Sequence, residues 1–142
     1  MISVSRDHFA IMNLMTDKTI INLPIKDFAI SRLFFVEIGF PLNEALSDEN
    51  SLCFDISSMT TIALLPNTHF AEATRGELAD TTKAHEVLIS IGKDSEQAVD
   101  LMIEAAVKAG GAELHEPIHT NNIYGRSFSD LDGHQWNLFY KS

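Results

Sequence analysis

The order of strand-like and helix-like segments is written twice in this chain, and that duplication constrains the fold more than any single motif. Thr19 to Ile25 is apolar and β-branched and reads as a strand. Asp27 is placed to cap a helix carrying Phe28, Leu33, Phe34, Phe35 and Ile38, and Gly39 supplies a left-handed stop. Three strand-like runs follow, Phe40 to Leu46, Ser51 to Ile56 and Thr60 to Leu65, separated by turn chemistry at residues 47–50 and 57–58. From His85 the order returns. Glu86 to Ile91 reads as a strand, and Asp94 with Gln97 resembles a capping box. Val99, Met102, Ile103, Ala106 and Val107 recur at helical spacing until Gly110-Gly111. Glu113 to His119, Ile123 to Ser129 and Gln135 to Tyr140 complete the set, with turns at Asn121-Asn122 and Asp132-Gly133.

The pattern predicts an α+β fold of two tandem βαβββ modules, residues 19–66 and 85–142, in one structural domain. Residues 67–84 read as a helical connector or lid, with Asn67 or Thr68 as cap and Gly76 as interruption. Residues 1–18 read as an N-terminal extension, either an extra helix or a disordered tail.

The 142 residues suit one compact domain, and 10 basic against 20 acidic side chains give a formal net charge of −10. That balance argues against a nucleic-acid-binding surface, which needs a basic face for phosphate. A single cysteine, Cys53, excludes an internal disulfide framework and a thiolate zinc cluster, and fits a reducing compartment. No apolar run approaches the roughly 20 residues of a membrane span. The opening residues lack the basic-then-apolar order of a secretory signal. The expected location is therefore the cytoplasm, with neither a membrane nor a nucleic acid as partner.

Two local segments sharpen the duplication. Leu23-Pro24-Ile25-Lys26-Asp27 leads into Phe34-Phe35 and Ile38-Gly39-Phe40, and Ser129-Asp130-Leu131-Asp132-Gly133-His134 precedes the last strand. In order, at the matching ends of a repeated pattern, they resemble the vicinal oxygen chelate superfamily, which includes glyoxalase I, bleomycin-resistance proteins and extradiol dioxygenases. The resemblance spans roughly Thr19 to Tyr140, with Leu131 where that family's Asp-Pro-Asp-Gly-type turn carries proline. It implies curled mixed sheets around a concave ligand pocket, and a homodimer.

Strand alternation sorts the side chains. Ile21, Leu23 and Ile25, then Leu52, Phe54 and Ile56, then Ile62 and Leu64 form apolar core rows. Ile20, Asn22 and Pro24, Cys53 and Asp55, and Thr61, Ala63 and Leu65 take the other face. In the second half Val87, Ile89 and Ile91 are the core row, leaving Glu86, Leu88 and Ser90 opposite, and Gln135, Asn137 and Phe139 oppose Trp136, Leu138 and Tyr140. Tyr124, Arg126 and Phe128 share one row. Because an unpaired arginine is costly in a core, that row is expected to line the pocket with Arg126 as an anion-binding group. The expected ligand-binding set is Asn22, Asp55, Thr61, Ser90, Arg126, Gln135, Asn137 and Phe139, polar groups set among apolar ones as in small-molecule sites.

Metal-using members of the superfamily take ligands from the first, fourth, fifth and eighth strands. The resemblance places those positions at Ile20, at Ala63 or Leu64, at Glu86 and at Asn137. Only Glu86 is a good ligand, so no metal site is expected: a divalent ion would find an incomplete set, and no other cofactor is indicated. The histidines do not replace it; His115 and His119 stand roughly 13 Å apart along a strand. Cys53 has no adjacent base in the sequence to activate it. Glu86 remains as a general base if burial raises its pKa. The resemblance thus implies a glyoxalase/bleomycin-resistance-like protein that binds a small molecule through a degenerate metal site. Its catalytic form is a lyase of the lactoylglutathione type; its alternative is non-catalytic sequestration of a cationic antibiotic or similar ligand.

Overall fold

The computed structural model describes residues 17–142. The expected N-terminal extension lies outside the described residues, apart from Asp17 and Lys18. Ten elements follow: β1 (Thr19–Ile25), α1 (Phe28–Glu37), β2 (Leu52–Asp55), β3 (Thr60–Pro66), α2 (Asn67–Thr74), β4 (Leu88–Gly92), α3 (Glu96–Lys108), β5 (Ala112–Thr120), β6 (Ile123–Ser129) and β7 (Gln135–Lys141). The strands form a three-stranded sheet in the order β1-β3-β2 and a four-stranded sheet in the order β4-β7-β6-β5. Neither closes, and both are mixed: β1 runs parallel to β3, and β4 parallel to β7. The first and last strands of each half are thus neighbours, as a repeated βαβββ unit requires.

The two halves differ at one edge. Phe40 to Leu46 was expected to be a strand, but only Leu42 bridges, antiparallel, to Phe54. Backbone bonds from Asn43 N to Cys53 O and from Asp55 N to Pro41 O give this stretch the place of a fourth strand without its length. Pairing stops there because the Asn43 side chain accepts from Leu46 N at 3.2 Å and its carbonyl accepts from Ser47 N, turning the chain away.

Caps fall near their expected places. Asp27 Oδ1 accepts from Ile30 N at 3.0 Å and starts α1. In α3 the cap is Ser95, whose hydroxyl accepts from Ala98 N, and not Asp94 as the capping-box spacing suggested. Likewise Pro66, with no side-chain bond, precedes α2, so Asn67 lies inside the helix. β4 begins two residues later than expected, which leaves Glu86 in a bend.

The chain divides into two compact units, and the boundary falls inside α1. The first holds the described residues up to Arg32 together with Phe40–Leu78; the second holds Leu33–Gly39 and Ala79–Ser142. In the first unit, Leu23, Ile25, Leu52, Phe54, Ile62 and Leu64 form the core, with Phe40 edge-on to Phe54 at 6.0 Å. In the second, α3 packs beside β5, β6 and β7 and buries Val99, Ile103 and Ala106. The same core takes two aromatics from α1. Phe34 lies 6.4 Å from Phe128, Phe35 lies 5.7 Å from Trp136, and Phe128 stacks on Trp136 at 6.3 Å. Those rings bury large apolar areas and dominate this core. No helix among the described residues is long and apolar enough to cross a membrane.

Candidate functional site

Register decides which side chains stand together on the four-stranded sheet. Ser90 pairs with Asn137 and Asn137 with Ser127; Leu88 pairs with Gln135 and Gln135 with Ser129; Gly92 pairs with Phe139 and Phe139 with Gly125. These residues occupy one face. Tyr124, Arg126, Phe128, Trp136 and Leu138 occupy the other, the face covered by α3. Asp100 of α3 fixes that sidedness, since it accepts from Tyr124 Oη at 2.5 Å and from Arg126 Nη1 at 2.6 Å.

Arg126 therefore corrects the sequence expectation. Its row faces α3, and its guanidinium is already committed: Nε and Nη2 donate to the two Glu113 oxygens at 2.8 and 2.9 Å. Burial is costly only for an unpaired arginine. Here a bidentate carboxylate and a second carboxylate satisfy the charge. Hydrogen bonding to Glu113 drives the Arg126 pKa up, opposed by partial burial and aided by Asp100. The bonds from Tyr124 and Arg126 hold the Asp100 carboxyl below its ordinary range, and Arg126 does the same for Glu113.

The face turned away from α3 carries four of the expected residues: Ser90, Gln135, Asn137 and Phe139. It also carries Ser127, which the sequence reading missed because placing Arg126 in the pocket put its neighbour on the core side. Ser127 Oγ donates to Asn137 Oδ1 at 2.7 Å, and Gln135 Nε2 approaches the same oxygen at 3.4 Å. The Asn137 amide is thereby turned so that its NH₂ group, with two donors, has no protein partner among the described residues. Phe139 remains 36 % exposed, and the far edge of its ring lies over Gly92, where a Cβ would approach Cζ to 3.4 Å. Leu88 and Ile118 are exposed apolar residues on this face.

The remaining expected residues belong to the first unit. Asn22 is exposed on β1, in register with Ala63. Thr61 is fully buried, and its hydroxyl donates to Asp55 Oδ1 at 2.7 Å. Lys18 Nζ reaches the same oxygen at 3.0 Å, and Asn43 Nδ2 donates to Oδ2 at 2.7 Å. Burial alone would raise the Asp55 pKa, but the bonds from Thr61, Lys18 and Asn43 outweigh it and hold the carboxyl low. Asp55 is thus a neutralised anchor for Lys18 and the Asn43 turn. Beside it, burial pushes the Cys53 thiol up to about 11, a value that keeps it protonated.

Glu86 is exposed in the bend before β4. The donor set that the superfamily would use for a metal does not fit one here. Ile20 and Ala63 carry no donor atom, and the Asn137 oxygen is engaged by Ser127. Among the described residues no three His, Cys, Asp or Glu side chains converge as a metal ion would need.

The turn Asp130–His134 is structural. Asp130 Oδ1 accepts from Asp132 N and His134 N at 2.9 and 3.0 Å, and Oδ2 accepts from Trp136 Nε1 at 3.0 Å. Thr81 Oγ1 donates to the Asp132 carbonyl, which fastens residues 79–84 to this turn.

No protein-family model and no curated protein matches the chain. Solved structures do. A hypothetical protein, SA1046, from S. aureus is 31 % identical, with 87 % of this chain and 92 % of that one covered and a TM-score of 0.75. A glyoxalase/bleomycin resistance protein/dioxygenase family enzyme from Burkholderia phytofirmans PsJN is 17 % identical over 89 % of this chain and 100 % of that one, at a TM-score of 0.73. The fosfomycin resistance protein FosX from Mesorhizobium loti is 16 % identical over 87 % and 91 %, at 0.62. With the duplicated topology and two mixed sheets in place, the chain has the fold of these glyoxalase/bleomycin resistance structures, that of the vicinal oxygen chelate superfamily.

Proposed function

We propose that this protein binds an organic small molecule on the face of the β4-β7-β6-β5 sheet turned away from α3, and does so without a divalent metal. The observation that carries the reading is the row Ser90, Asn137 and Ser127, with Asn137 held by two neighbours and its NH₂ left free. A few oriented polar groups among exposed apolar side chains are what a small-molecule site requires. The names of two similar structures, a bleomycin resistance family enzyme and a fosfomycin resistance protein, support ligand recognition as the use of this fold. A lyase of the lactoylglutathione type would need ion-binding donors at positions that hold isoleucine and alanine. It would also need Glu86 as base, a side chain exposed in a bend. Binding without turnover is therefore the favoured form, and a homodimer is part of the reading.

Sequestration of a cationic guest has one observation in its favour, the net charge of −10. Against it, the Asp55 carboxylate is already neutralised by Lys18. A fragment screen by ¹⁵N–¹H correlation spectra of the full chain tests the proposal. Shift changes should cluster on Ser90, Ser127, Gln135, Asn137 and Phe139; hits scattered over other surfaces would overturn it.

A further inference from the structure

Resting on that binding reading, we infer that the ligand is uncharged and carries a hydrogen-bond-accepting oxygen next to a planar apolar ring. Asn137 is the residue that selects it. Three observations lead there.

The first is the direction of the Asn137 amide. Its oxygen accepts from Ser127 Oγ at 2.7 Å and lies 3.4 Å from Gln135 Nε2, so only the donor end is left for a ligand. An amide free at both ends would take donors and acceptors alike; one fixed in this way takes an acceptor. A carbonyl oxygen fits, as does any neutral oxygen with a free lone pair. Ser90, in register with Asn137 on β4, adds an adjacent hydroxyl.

The second is charge. The rows Leu88–Gln135–Ser129, Ser90–Asn137–Ser127 and Gly92–Phe139–Gly125 hold no ionisable side chain. The arginine nearest in sequence, Arg126, points to the opposite face and is bound by Glu113 and Asp100. The next residue of this face along β7 is Lys141, in register with Ile123 and about 13 Å from Asn137. A carboxylate or phosphate held at Asn137 would therefore meet no cation in these three rows, in a protein of net charge −10. An ammonium ligand would meet no carboxylate and would face the Asn137 donors end-on. Desolvating either kind of charge without a partner is costly, whereas a neutral acceptor loses little.

The third is the ring. Phe139 lies two residues along β7 from Asn137, so both side chains project from one face about 7 Å apart. Gly92 leaves room for the far edge of the Phe139 ring above the backbone of β4, and the ring keeps 36 % of its surface exposed. A planar ligand ring can lie against that surface in an offset stack. The specificity device is thus a fixed donor pair at one step of the strand and an aromatic surface at the next.

Three matched probes, benzamide, benzoate and benzylammonium, share one ring and differ in the charge of the attached group. Titrated into ¹⁵N-labelled full chain, benzamide is expected to move the Asn137 side-chain NH₂ signals and the Phe139 amide. It should bind about tenfold more tightly than either charged probe. Asn137→Asp should weaken benzamide about tenfold, and Asn137→Leu, which removes the donors without adding charge, should do the same. The dispersion of each variant's spectrum confirms that it is folded. Preferential binding of benzoate or benzylammonium on this same face would overturn the neutral class and leave the binding reading standing. So would benzamide affinity that survives both substitutions in folded protein. Failure of all three probes to perturb the face at saturating concentration would overturn both.

Discussion

Trp136 Nε1 donates to the buried carboxylate of Asp130 at 3.0 Å, across the turn that leads into the last strand. Asp130 also accepts two backbone N–H groups, so one carboxylate satisfies three donors of its own loop and strand. Asp130→Asn keeps the shape but turns an NH₂ group toward one of those donors. The expected loss is about 2 kcal/mol of unfolding free energy, with Asp130→Ala costing more, measured by urea denaturation. A change below ~0.5 kcal/mol for both would show that the turn does not depend on this residue.

Gly133 adopts φ +83°, and a Cβ there would come within 2.7 Å of the Thr81 carbonyl oxygen. Strain and collision act together, so Gly133→Ala should destabilise by roughly 2 kcal/mol. Thermal denaturation checks this, and an unchanged midpoint would contradict the close fit of residues 79–84 on the turn.

The low carboxyl pKa values set an acid-sensitive window. Asp55 and Asp100 are held below the ordinary 3.8, and Glu113 below 4.5. A carboxyl with a depressed folded-state pKa adds stability above its unfolded value and loses it as pH falls through the folded one. Stability should therefore decline from about pH 4.5 downward as those groups take up protons. Lys18→Met removes one partner of Asp55, whose side chain is 32 % exposed. The expected cost is ~1 kcal/mol or less at pH 7, vanishing at acid pH once Asp55 is protonated. Denaturation profiles of both proteins between pH 2 and about 7 check the sign. A cost that persists unchanged at pH 2 would mean Lys18 acts through packing.

Arg126→Lys separates the two faces of the β4-β7-β6-β5 sheet. Lysine cannot reproduce the forked contact with Glu113, so stability should fall by about 1 kcal/mol. Because Arg126 faces α3, benzamide affinity should not move, as titration calorimetry or spectral titration will show. A tenfold loss of affinity without loss of stability would restore Arg126 as a ligand anchor.

The duplicated topology was legible because periodicity and turn chemistry are local properties. Thr19–Ile25 and Ile123–Ser129 emerged as strands with the bounds read from the sequence. Phe40–Leu46 did not, since its apolar content says nothing of the Asn43 side chain that turns it. The sidedness of β4 and β7 was also legible, because alternation alone puts Ser90 and Asn137 on the face opposite the apolar rows, whereas their pairing in one row is set by the register. What alternation could not supply was a partner 26 residues away. Asp100 looks like an ordinary helix-surface residue until α3 is laid on β6, and Arg126 was misplaced for that reason. The division of α1 between units was hidden too. Phe34 and Phe35 announce a core, but not which sheet they cover.

On the proposed reading, the Asn137 amide holds an uncharged ligand without a metal. The direct measurement follows the Asn137 side-chain NH₂ signals during benzamide titration, before and after exhaustive treatment with EDTA. The same displacement and the same affinity are expected in both samples. Displacement that disappears with EDTA and returns on adding stoichiometric nickel, zinc or iron(II) would contradict that reading.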